Sequence, residues 1–191
     1  IGSYDFTSLG GTLGWDSKGT ITGSFAGEAF GSHFKGDVKY TNTNNMEISL
    51  ETDSVSLTSL KPLLEQFPQI SSKLDIDKGT GQVTSAKIWK SDGAVAYHVQ
   101  GSIKDAALRY DHFILADGAA FFDIENGEAV ITEAAVKVNG QTFTGDAKVL
   151  FDVDDPILMG HVILKDIKAE DLLPEKGVTG VFSRSVYISG T

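Results

Sequence analysis

Over long stretches of this chain, apolar and polar side chains alternate with a period of two, and that spacing limits what it can fold into. Met46, Ile48 and Leu50 alternate with Glu47, Ser49 and Glu51. A strand sends successive side chains to opposite faces, so this segment reads as a half-buried strand with one apolar and one polar face. The same signal returns in Val95, Tyr97 and Val99, in Val136 and Val138, in Ala147, Val149, Phe151 and Val153, and in Val162 and Leu164. Between these runs stand Asp92-Gly93, Asp117-Gly118, Asn126-Gly127 and Asn139-Gly140. Such dipeptides accept the positive φ angles of two-residue hairpin turns, so each predicts an antiparallel reversal. The fold expected from this pattern is mainly β: a long antiparallel meander, its apolar face buried either in a dry core or against a ligand, with one or two short helices.

One segment departs from the period of two. Leu60, Leu63, Leu64 and Phe67 fall on one helical face, with Thr58 or Ser59 as N-cap, Pro62 in the first turn and Pro68 as the stop. Residues Ile70 to Leu74 add a further turn in this reading. A shorter relative is expected at Ala169 to Leu173, ended by Pro174.

The chain also repeats itself. Gly31, Phe34, Gly36, Asp37 and Lys39 recur as Gly140, Phe143, Gly145, Asp146 and Lys148, at an offset of 109 residues. At that offset Ile48 matches Ile157, and Leu63-Leu64 matches Leu172-Leu173; ten residues then intervene before Thr80-Gly81 matches Thr179-Gly180 at an offset of 99. The predicted unit is a hairpin, one or two amphipathic strands, a Leu-Leu helix and a Thr-Gly restart. The organisation expected is a single β-rich fragment over 1–191, cut from a longer protein, with units at about 20–119 and 120–191, the second truncated.

Composition narrows the function classes. Formal charge is -10, from 26 acidic and 16 basic residues, with no basic cluster, so nucleic acid and anionic membrane surfaces are disfavoured as partners. There is no cysteine, which removes disulfides and thiolate chemistry. The longest apolar runs, such as Phe113 to Ala116 and Ala119 to Phe122, fall far short of the ~20 residues of a membrane helix.

No motif points to catalysis, a metal or a cofactor. His33, His98, His112 and His161 are dispersed and lack ligand spacing. The acidic runs Asp152 to Asp155 and Asp123 to Gly127 lack the ligand pattern of a calcium loop and read as solvated turns. Trp15, Trp89, Phe121 and Phe122 read as packing or groove-lining residues, and Phe34 and Phe143 as packing residues of the repeat.

The short amphipathic strands, the Leu57 to Leu64 element with its echo at Ala169 to Pro174, and the Thr-Gly restart resemble the AsmA-like superfamily. Within it the TamB-like proteins, translocation and assembly components, are most similar, and the likeness covers roughly residues 20 to 191. The resemblance implies a periplasmic protein of a diderm bacterium, anchored to the inner membrane by a segment outside this stretch. It further implies that the long antiparallel sheet is curled into an open apolar groove, and with that carriage of phospholipid between membranes, support of outer-membrane biogenesis, and no catalytic residues. The groove-lining candidates are Met46, Ile48, Leu50, Val149, Phe151, Val162 and Leu164. The expected partner is a phospholipid or other acyl-chain lipid. Outer-membrane β-barrel proteins, bound by adding their strands to a sheet edge, are the alternative clients.

Overall fold

The computed structural model describes residues 7–42, 45–65, 72, 74–91, 93–110, 113–151, 157–172, 177 and 179–190. They form one antiparallel sheet: β1 (Thr7–Trp15), β2 (Ile21–Ala29), β3 (Ser32–Asn42), β4 (Asn45–Thr52), β5 (Val55–Ser56), β6 (Leu74–Ser91), β7 (Ala94–Tyr110), β8 (Phe113–Glu125), β9 (Glu128–Val138), β10 (Gln141–Leu150), β11 (Ile157–Lys168) and β12 (Val181–Gly190). Each strand pairs with its neighbour in the chain, except that β6 takes both β4 and the two-residue β5. The sheet is a meander that does not close: among the described residues β1 and β12 lie at its two edges.

The predicted turns at Asn126-Gly127 and Asn139-Gly140 are present, with φ of 42° and 89° and of 48° and 84°. These are the paired positive angles that match the twist of flanking strands. Phe30-Gly31 makes the same turn with φ of 54° and 71°, although phenylalanine gives no sequence signal for it. Gly93 has φ 89°, and its partner Asp92 lies outside the described residues.

Asp117-Gly118 is not a turn. It sits inside β8, where the register with β7 and with β9 slips by one residue on either side and Asp117 adopts φ 52°. A bulge and a hairpin turn both need a left-handed residue, so the dipeptide alone does not separate them. Ser8, Asp105, Glu133 and Asp166 repeat this geometry in β1, β7, β9 and β11, with φ between 51° and 56° at register shifts of their own. The residue after each acid returns to the apolar face: Ala106 and Ile167 are buried there. Bulges bend a strand and raise its local twist, so this series curls the sheet.

Among the described residues the predicted helix begins as a 3-10 turn and holds a single α turn. A 3-10 turn over Leu57–Leu60, entered from Ser56, leads into α1 (Lys61–Leu64). Pro62 has no N–H, and its ring would collide with the carbonyl four residues back, so an α-helix can begin at Lys61 but not run through from Leu57. The Ser59 hydroxyl donates to the Ser56 carbonyl at 2.7 Å instead of capping a helix of its own. Phe67, Pro68 and Ile70 lie outside the described residues. The second helix, α2 (Ala169–Leu172), stands where expected; Leu173 and Pro174 are outside the described residues.

Hairpins β2–β3 and β9–β10, 109 residues apart, share their register at the turn, with Ala29 opposite Ser32 and Val138 opposite Gln141. The following strands differ. Val38 faces Ile48, whereas its counterpart Ala147 faces Gly160. That three-residue slip puts Ile157 opposite Leu150, on the other face from Ile48. The sequence match of Ile48 with Ile157 is therefore not an equivalence in space.

Candidate functional site

Residues paired across an antiparallel ladder share a face, so the registers sort every strand position. Leu50, Ala86, Val99, Ile124, Ala129 and Val149 form one transverse row from β4 to β10. The adjacent row runs Gly101, Phe122, Ile131, Ala147, Gly160 and Ile188. All seven groove candidates lie on this face. Met46 and Ile48 continue β4 above Leu50; Val162 and Leu164 face Gly145 and Phe143 on β11; and Phe151 follows Val149 by two positions, its N–H bonded to the Gly127 carbonyl at 2.8 Å. They fall into two groups, on β4 and on β10–β11, with β4 and β10 five strand spacings apart, about 24 Å measured along the sheet.

Nothing among the described residues covers most of this face. Among the described residues only Phe34, Ile76, Ala106, Ile167 and Ala169 are buried hydrophobics, far fewer than a closed core of this length would hold. Leu13, Trp15 and Val95, all on the apolar face by register, are 69%, 81% and 65% exposed. Leu57 is the local exception. A Cβ on Gly79 would lie 2.8 Å from Leu57 Cδ1, so the 3-10 turn closes down on the face where β6 meets Ala106.

Glycines on this face make room for rings on the next strand. A Cβ on Gly36 would lie 2.6 Å from Phe25 Cζ, and one on Gly27 would lie 2.9 Å from Phe34 Cζ. The two rings meet at 6.2 Å and 59°, a tilted aromatic pair. Tyr97 shares the face and keeps its polar end satisfied by accepting the Gly127 N–H at 2.9 Å.

The opposite face carries the charge. Lys35–Glu51 at 3.1 Å, Lys87–Glu47 at 2.8 Å, Lys137–Asp117 at 2.8 Å and Lys148–Glu128 at 2.7 Å are ion pairs between neighbouring strands. The hydrogen bond from Lys137 holds the Asp117 carboxyl below its ordinary range. Asp123 is lowered by the hydrogen bond from Gln100 and then by His98, and Asp75 by Lys61 and Arg109. Trp89 belongs to this face and not to the groove, opposite Glu47, with Lys87 Nζ 5.9 Å from its ring centre. Phe121 is likewise on the polar side, opposite Ser102.

Depressions of about 520 and 600 Å3 also lie on the polar face. Their floor is the short row Thr12, Ser24, Asp37 and Ser49 between longer side chains. An open apolar sheet has no such walls, so a lack of enclosure does not count against a long ligand lying along it. Among the described residues no group of three His, Cys, Asp or Glu is placed to hold a metal ion, and no helix is long and apolar enough to cross a membrane. His112 and Asp152 to Asp155 lie outside the described residues.

The fold and the two-sided sheet define an open antiparallel meander, apolar on one side and ion-paired on the other. No family model, curated protein or solved structure matches the chain.

Proposed function

We propose that this chain is a section of a lipid-conducting groove of the AsmA-like kind, working as a carrier and not a catalyst in the periplasm of a diderm bacterium. The observation that carries this reading is an apolar face running from β1 to β12 with no covering layer among the described residues. Apolar surface left in water costs about 25 cal/mol per Å2. An acyl chain lying across several rows would remove enough of it to be held by several kcal/mol without any polar contact. A photo-crosslinking residue at Ile48 or Phe151, activated in cells, is expected to form phospholipid adducts, whereas one at Ser49 on the polar face is not. Protein adducts alone from Ile48 and Phe151 would remove the reading.

The outer edge of β12 among the described residues supports a second reading, a scaffold that receives client β-strands. Among the described residues β12 pairs only with β11, and an unpaired edge offers backbone hydrogen bonds to an incoming strand. Crosslinks from Ser183 or Tyr187 to an outer-membrane β-barrel protein would favour it over lipid carriage.

A further inference from the structure

Charge is distributed unevenly between the two faces. At the paired strand positions of the apolar face, no described residue is an aspartate or glutamate, although the chain holds 26 of them. Two cations are there. Lys90 pairs with Met46 on one side and Val95 on the other, and Arg184 pairs with Leu164. Neither has an ion-pair or hydrogen-bond partner among the described residues, in contrast to Lys35, Lys87, Lys137 and Lys148 on the opposite face.

Their places in the sheet are as specific as their sign. Lys90 belongs to the outermost row, Trp15, Ile21, Tyr40, Met46, Lys90 and Val95. The same row carries a tyrosine two strands from Lys90 and a tryptophan four strands away, the residue types that suit a boundary between apolar surface and water. Arg184 lies toward the other margin, one register step from Ile167–Phe182. The interior rows between them carry no charge.

We propose that the occupant of this face is an anionic amphiphile, a long-chain lipid whose phosphate meets Lys90 or Arg184 at a margin while its chains lie along the uncharged rows. The proposal rests on the groove reading above and adds a headgroup preference that apolar burial alone would not give. It also runs against the net charge of -10, which by itself disfavours every anion. A preference for the anionic lipid must therefore come from local cations.

The test uses the whole chain with fluorescent phosphatidylglycerol and fluorescent phosphatidylcholine, each offered from neutral detergent micelles and separated by gel filtration. The expected result is retention of both lipids, with phosphatidylglycerol favoured by about three- to tenfold, the size of one or two exposed charge contacts. The Lys90→Gln/Arg184→Gln variant should lose that preference and keep its phosphatidylcholine, while Lys87→Gln on the polar face should keep the preference. Equal retention of the two lipids by the native chain, or a preference that survives the double variant, overturns the headgroup proposal and leaves the groove standing. Retention of neither lipid overturns both.

Discussion

Phe122 of β8 lies over the bare Cα of Gly101, its partner across the ladder in β7. A methyl group on Gly101 would run into both the Phe122 ring and the Gln82 carbonyl of β6. The ring has rotamers to use; the carbonyl belongs to the ladder and cannot move without breaking it. Gly101→Ala is therefore expected to cost about 1–3 kcal/mol of folding stability by urea titration. Gly160→Ala, where the nearest atom is 3.7 Å away, should stay near the native value. Equal midpoints for the two variants would contradict this account of the face.

Charge placed inside the apolar rows should expel lipid. Leu50→Asp and Val149→Asp are each expected to reduce phospholipid recovered with the purified protein severalfold, since a desolvated carboxylate is strongly unfavourable beside an acyl chain. Ser49→Asp and Lys148→Asp, one residue away on the polar face, should leave recovery unchanged. Mass spectrometry of the extracted lipid reads out both pairs, and circular dichroism confirms that each variant is folded.

The left-handed bulge residues store strain. Glu133 has φ 51°, a conformation that costs an L-residue roughly 1–2 kcal/mol and a β-branched one more. Glu133→Gly should equal or exceed native stability, the relief being partly offset by the flexibility of glycine in the unfolded chain. Glu133→Val should lose about 1–2 kcal/mol or more. The order glycine, glutamate, valine in chemical denaturation is the expected outcome; valine ranking first would mean that the bulge relaxes at no cost.

The Asp117–Lys137 pair, 2.8 Å apart, should show its contribution as a plateau in pH. Asp117 is held below its ordinary 3.8 by the hydrogen bond from Lys137, so its stabilisation is present above that value and lost as pH falls through the lower folded one. Lys137 is held above 10.5 by the same bond, so its stabilisation is complete below that value and lost as pH rises through the higher folded one. The stability difference between the native protein and Lys137→Gln should be flat through neutral pH and shrink at both extremes. A difference that persists unchanged at pH 2 would show that the variant acts through packing.

The apolar face was legible in the sequence because a period of two survives wherever strands are regular; that alone places Met46, Ile48 and Leu50 together, and Val162 with Leu164. The bulges were not legible. Asp117-Gly118 satisfies a turn and a bulge equally well, and neighbours on two flanking strands decide which forms. Ile157 shows a second limit: its match to Ile48 is real in the sequence, yet a three-residue slip in pairing sends its side chain to the opposite face. The two tryptophans show a third. Their identity suggested packing residues without giving a side, and pairing puts Trp15 on the apolar face and Trp89 among the ions.

The bulges have a consequence for how such a chain tolerates change in length. In β9, Ile131 faces the apolar side and Thr132 the polar side, Glu133 is the extra residue, and Ala134 returns to the apolar side. Removing Glu133 would leave the alternation of every later residue intact; removing Ala134 would do the same but set the Glu133 carboxylate on the apolar side. Single-residue gains and losses at Asp105, Asp117, Glu133 and Asp166 thus alter curvature without exchanging the wet and greasy sides. Elsewhere in the same strands, a one-residue change in length turns the sheet inside out from that point on.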